Sequence, residues 1–248
     1  MPRLFLLVLV LVSFCWQCSG RLGVDLSVPA DEAAWSCLKD QEIGYAIVRV
    51  YRSVGEIDTN SAATILSAHE QKLRDVGAYI FPCVQTSPYS MANNITCKSA
   101  ELQLEETVHY LASNGIYFDP RQGGVTLDRL WVDVEDESPS KYYDADPTAN
   151  QIFMQALVGL ATKLGLPIGM YTTKTYWTQI MADSEAYSGL DSAGRYVHPL
   201  WYPRYDAVNS MDFFSPFAGW DRALIKQTGG DVGLCGLTQV DSNYMDDL

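Results

Sequence analysis

The 248 residues carry 17 basic and 30 acidic side chains, a formal net charge of −13. A chain this acidic lacks the clustered Lys and Arg that nucleic acid demands, and at neutral pH it feels no long-range attraction to anionic surfaces. No apolar run reaches the roughly 20 residues that span a bilayer.

At the start, Arg3 precedes an apolar run from Leu4 to Trp16, which gives way to the small residues Cys18, Ser19 and Gly20. That order predicts a cleaved secretory leader over 1–20. Residues 21–248 then form one domain with 16 basic and 30 acidic side chains, a net charge of −14, and a length that suits a single α/β barrel of about 200 to 250 residues. Cys15 and Cys18 leave with the leader. Cys37, Cys83, Cys97 and Cys235 remain in an oxidising compartment, so two disulfides are expected. Four cysteines allow three pairings; Cys83 with Cys97 closes a short loop, and Cys37 with Cys235 then clasps the two ends of the domain, but spacing leaves the choice open. Asn94-Ile95-Thr96 is an N-glycosylation acceptor.

Periodicity predicts strands at 22–28, 45–52, 77–85 and 129–135, with helical patterns between them from about Asn60 to Val76 and from Ser99 to Ser113. The clearest helix follows. Asp146 caps it, Pro147 takes its first position, Phe153, Leu157, Leu160 and Leu164 repeat at helical spacing, and Gly165 and Pro167 end it. A strand at 167–172 and a short helix from Tyr176 to Met181 come next. Beyond them the alternation fails, leaving strand candidates at 198–205, 222–228 and 237–244 joined by segments rich in Gly, Ser, Asp and Pro. Eight strands with helices confined to the first half predict an α/β, parallel-type barrel whose last part has shed its helices. An open α/β sheet explains the alternation but not the late strands.

In Leu130-Trp-Val-Asp-Val-Glu-Asp136 the strand period of two puts Trp131, Asp133 and Glu135 on one face. Two carboxyls about 7 Å apart along a strand repel when both ionise, so one is pushed to stay protonated. A protonated and an ionised carboxyl are what glycosidic cleavage requires. The competing reading is a solvated acidic turn, because Asp136 and Glu137 continue the run. Asp25 in the first strand and Asp241 in the last favour the site, because strands one and eight are neighbours in a closed barrel. Tyr79, Tyr171 and Trp201 fall late in strands, where flat rings stack on sugars, although single aromatics are more often core residues. His69, His109 and His198 are widely separated, and Glu70 lacks the second histidine of a zinc helix. There is no G-x-S-x-G turn, and the glycine-rich segment 229–236 precedes a strand rather than a helix, so it reads as a turn rather than a phosphate cradle.

Together GVDLS, GAYIF, LWVDVED, IGMYTT, PLWYPRY, IKQT and QVDSNY, in this order from Gly23 to Tyr244, resemble the glycoside hydrolase family 25 lysozymes, and nematode and amoeba members most. The resemblance implies a modified TIM-like barrel of eight strands and about five helices, no metal or cofactor, and retaining hydrolysis of the β-1,4 bond between N-acetylmuramic acid and N-acetylglucosamine in bacterial peptidoglycan. It makes Glu135 the acid and then the base. Asp133 holds the substrate acetamido group as it attacks its own anomeric carbon. Asp25 and Asp241 line the pocket floor, and Tyr79, Phe81, Tyr171, Trp201 and Gln227 match cleft positions. Two departures bear on affinity and substrate preference: Ile80 stands where bacterial members often have histidine, and Lys226 where they often have tryptophan.

Two rivals follow from the same residues. A family 18 chitinase shares the Asp-x-Glu pair but has another aspartate two positions before it, where this chain has Trp131. A secreted peptidoglycan-binding or immune-regulatory protein would keep the groove and lose turnover; the four acids argue against it. The acidity of the chain, with an isoelectric point near 4.5, points to work in an acidic lumen such as the gut or a lysosome-related compartment.

Overall fold

A computed structural model describes residues 20–73, 75–136 and 141–246. The leader expected at 1–20 lies, apart from Gly20, outside them. Eight strands close into a barrel: β1 (Arg21–Leu26), β2 (Ile43–Arg52), β3 (Asp75–Ile80), β4 (Leu130–Asp133), β5 (Ile168–Tyr171), β6 (Leu200–Pro203), β7 (Ile225–Gly229) and β8 (Val240–Met245). From β1 to β7 every neighbouring pair is parallel, whereas β8 runs antiparallel to both β7 and β1.

The barrel is therefore mixed, not wholly of the parallel type that the alternation predicted. A parallel return needs a crossover of a dozen or more residues, usually a helix. The link from Gly229 to Val240 is shorter, contains no helix, and turns through Gly233 and Gly236 at φ of 57° and 81°. The chain can only come straight back.

Among the described residues six α-helices pack outside: α1 (Glu32–Asp40), α2 (Ser61–Glu70), α3 (Pro88–Ala92), α4 (Ala100–Ser113), α5 (Pro147–Leu164) and α6 (Lys174–Met181). Two of them, α1 and α3, were not anticipated, although Asp31 and Ser87 cap them by accepting from the amides of Ala34 and Ser90. Helix α2 stops short of the predicted Val76 because Lys72 takes a left-handed φ of 60° and Asp75 already belongs to β3. Helix α5 begins after its Asp146 cap with Pro147 and ends on left-handed Gly165, as its sequence requires. No helix among the described residues is long and apolar enough to cross a membrane.

The strand period sorts side chains into two layers. Leu130, Val132, Met170 and Leu200 face outward to the helices with Leu104, Met154 and Leu157, while Tyr45, Ile47, Tyr79, Trp131, Tyr171, Trp201, Ile225 and Met245 fill the interior. Rings this large need room. A Cβ on Gly23 would lie 2.2 Å from the Tyr45 ring, and one on Gly169 2.4 Å from the Trp131 ring, so glycine at these inward positions is a packing requirement. The disulfides are Cys37–Cys235, which ties α1 to the β7–β8 link, and Cys83–Cys97, which closes the loop after β3.

Candidate active site

Parallel strands deliver their C-terminal ends to one mouth of a barrel. Asp25 comes from the end of β1 and Asp133 from the end of β4. Asp241 lies near the start of β8, and because that strand is reversed its first residues reach the same mouth, with Asp241 directly opposite Asp25. The four acids, with Tyr79, Tyr171, Trp201, Tyr205 and Gln227, line one cavity of about 80 Å³. Phe81 is not part of this lining; its ring packs edge-on against Tyr142 at 4.9 Å.

Glu135 is half-buried and lies just beyond β4, not within a strand reaching 135. Its loop is nevertheless held like an extension of the sheet. The amide of Val134 donates to Tyr171 O at 2.9 Å, and Thr172 Oγ1 donates to Val134 O at 2.7 Å. On the other side, Asp136 is buried and accepts from the amides of Lys141 (2.6 Å) and Tyr142 (3.2 Å). Tyr143, fully buried, donates its hydroxyl to Asp133 O. Asp136 is thus a loop clamp, not a solvated turn residue; Glu137 lies outside the described residues.

Gln227 organises the floor. Its Nε2 donates to Asp25 Oδ2 and Asp241 Oδ2, both at 2.9 Å, and its Oε1 accepts from the hydroxyls of Tyr171 (2.7 Å) and Tyr205 (2.9 Å). Asn243 completes the network, donating to Asp25 Oδ2 at 2.6 Å and accepting from Trp201 Nε1 at 2.8 Å. The Trp201 ring meets Tyr171 and Trp131 edge to face at 4.5 and 5.7 Å. These donors fix the carboxylates without neutralising them.

Burial, then the charge of Asp241, pushes Asp25 up to about 8 against the opposing hydrogen bonds of Asn243 and Gln227. Burial, then Glu135 and Asp25, holds Asp133 well above the usual carboxyl range, with Arg49 acting in the opposite direction. Burial also raises Asp241. Asp133 Oδ1 is buried and has no hydrogen-bond partner among the described residues, although the side chain is only 5% exposed. A buried carboxyl oxygen left open inside a cavity is a place for a ligand donor.

Arg49, Tyr143, Tyr205 and Asn243 were not singled out from the sequence. Asn243 was within reach, being two positions from Asp241 on the same strand face; the others act through contacts distant in sequence. Among the described residues no group of three or more His, Cys, Asp or Glu is arranged to hold a metal ion.

Comparison with known proteins places the chain in a family. A family model described as Lysozyme-like protein 1 matches residues 17–228. "Probable GH family 25 lysozyme 5" of Dictyostelium discoideum is 31% identical over 226 residues, covering 91% of this chain and 90% of that protein. Lysozyme-like protein 5 of Caenorhabditis elegans is 30% identical over 247 residues, covering 99% and 100%. In fold, the chain is similar to a bacterial lysozyme from Streptomyces coelicolor, with TM-score 0.65, 17% identity, and 92% and 93% of the two chains covered. It is also similar, with TM-score 0.56 and 14% identity over 91% of this chain and 46% of that one, to a modular autolysin of Streptococcus pneumoniae solved in complex with a synthetic peptidoglycan ligand. On sequence and fold together, this chain belongs to the glycoside hydrolase family 25 lysozyme-like proteins.

Proposed function

We propose that this chain is a secreted lysozyme that cleaves the β-1,4 bond between N-acetylmuramic acid and N-acetylglucosamine in bacterial peptidoglycan, retaining configuration. The observation that carries the reading is the open, buried Oδ1 of Asp133 beside half-buried Glu135. In this mechanism Asp133 accepts the N–H of the substrate acetamido group, whose carbonyl oxygen attacks the anomeric carbon while protonated Glu135 gives its proton to the leaving oxygen. Glu135, now a carboxylate, then takes a proton from the water that opens the cyclic intermediate.

The proton inventory supports this assignment. Burial pushes Asp133 toward its protonated form. An acetamido N–H reaching Oδ1 favours the ionised form, so substrate moves the proton the pair shares toward Glu135 and arms the acid. Asp25 and Asp241 share the Nε2 donor of Gln227, which fixes the floor beneath the reacting pair. Tyr79, Tyr171 and Trp201, buried in the barrel interior, wall the cavity that receives the sugar.

Secretion fits the expected leader at 1–20 and the two disulfides. An acidic lumen fits the net charge, since protonation near the isoelectric point removes repulsion from the wall; wall binding that strengthens from pH 4 to pH 8 would refute that part.

Glu135→Gln tests the whole. The variant is expected to keep fold and wall binding while releasing no reducing ends from peptidoglycan. If the wild type releases none between pH 4 and 8, the protein is a binder and not a hydrolase; if it cleaves chitin oligomers and leaves walls intact, it is a chitinase.

A further inference from the structure

A larger cavity, of about 580 Å³, lies away from the acids. Its rim is built from residues immediately ahead of three strands: Arg129 before β4, Pro199 before β6 and Leu224 before β7. These strands are parallel, so the cavity opens at the barrel end opposite Asp133. Its volume falls within the range of roughly 300 to 1,000 Å³ that small-molecule sites occupy.

Its lining joins apolar wall to positive charge. Val197, Pro199 and Leu224 form part of the wall, and Arg129, Arg195 and Arg222 converge on it, in a chain with 30 acidic and only 17 basic residues. Each cation is differently provided for. Arg195 is neutralised by Asp191, Nη2 to Oδ2 at 2.9 Å. Arg222 donates to Gly194 O at 2.7 Å and stands 3.7 Å from an oxygen of Asp221, its guanidinium over the Tyr196 ring at 5.3 Å.

Arg129 is the unbalanced one. It is half-buried, lies 5.7 Å from the Trp131 ring centre, and spends one Nη1 hydrogen on Ile168 O at 3.1 Å. Its Nε is buried without a hydrogen-bond partner, and no carboxylate among the described residues comes within ion-pair distance of it. Asp128 acts on it only from further off, while burial pulls it below its ordinary value. Neighbouring His198, lowered mainly by burial, is neutral or cationic and offers Arg129 no counter-charge. A desolvated cation with an unsatisfied donor is costly unless a ligand answers both.

We infer that the floor of the barrel binds a small organic anion, an oxyanion on an apolar body, with the oxyanion between Arg129 and Arg222 and the body against Val197, Pro199 and Leu224. The inference rests on this cavity alone and stands or falls independently of the sugar chemistry at the other mouth.

Titration calorimetry of the purified protein at pH 7 and low salt tests it, with phenyl phosphate and benzoate as anionic probes and phenol as the neutral control. One anion or both should saturate at least tenfold more tightly than phenol, and the tighter of the two tells phosphate from carboxylate. Arg129→Gln and Arg222→Gln should each weaken that binding by about tenfold or more, the scale of a charge-assisted contact, while Glu135→Gln leaves it unchanged. Anions that bind no better than phenol would overturn the inference, as would a loss of binding in Glu135→Gln, which places the probe at the other mouth. Unchanged affinity in a folded Arg129→Gln would do the same. If Arg129→Gln does not fold, the more exposed Arg222→Gln decides alone, and wild-type affinity there refutes the site.

Discussion

Replacing Asp25 by Asn tests the electrostatics of the cavity through stability, independently of any substrate. Folding raises the Asp25 carboxyl from 3.8 to about 8, so the native state holds a proton that the unfolded chain has released. The stabilisation from that proton is fully present below pH 3.8 and is lost as the pH rises through about 8. Between those limits the loss is about 1.4 kcal/mol per pH unit, up to about 6 kcal/mol in all. Asparagine is close in shape to the protonated acid. Its carbonyl oxygen can take the place of Oδ2 and accept from Gln227 Nε2 and Asn243 Nδ2, so the network survives without a titrating group. Removing Asp25 also relieves Asp133, whose carboxyl it raises, and that change has the same sign. Urea denaturation at intervals from pH 4 to pH 8 should give similar stabilities at pH 4 and a variant several kcal/mol more stable than wild type at pH 8. Parallel stability–pH curves for the two proteins would refute the reasoning.

Other expectations follow from single contacts. Removing the Cys37–Cys235 bridge, which spans 198 residues, should cost about 5 kcal/mol by loop entropy, against about 3 kcal/mol for Cys83–Cys97, which spans 14; urea midpoints of the two double-alanine variants check the order. Lys226 is fully buried and its Nζ holds Asp206 Oδ1 at 2.6 Å and Val208 O at 2.8 Å, anchoring the segment that brings Tyr205 to Gln227. Lys226→Met should raise KM roughly fivefold, the worth of one such hydrogen bond, with kcat nearly unchanged; a fall in kcat at constant KM contradicts this positioning role. Asn94 is exposed, so secretion from a eukaryotic host should add a glycan mass that Asn94→Gln removes, and identical masses would dispose of the acceptor.

Much of this molecule was legible in its sequence because the relevant signals are local. The Asp146 cap, Pro147 and Gly165 define α5 by backbone chemistry that acts within one turn. The two-residue period of a strand puts Trp131 and Asp133 inside and Leu130 and Val132 outside, whatever packs against them. Even the meeting of Asp25 with Asp241 followed once a closed barrel was inferred, since closure makes the first and last strands neighbours.

What the tertiary structure alone decided depends on contacts distant in sequence. The direction of β8 follows from a link too short for a crossover, and only that reversal brings Asp241, at the start of its strand, to the mouth where the other strands end. Residues 202 and 218 positions apart in sequence meet where Gln227 and Asn243 share Asp25 Oδ2, and no periodicity in a linear chain encodes such a junction. The protonation of Asp25 and Asp133 is likewise a property of the closed cavity: the same carboxyls in an open strand would keep their ordinary acidity, because desolvation exists only after the barrel has formed around them.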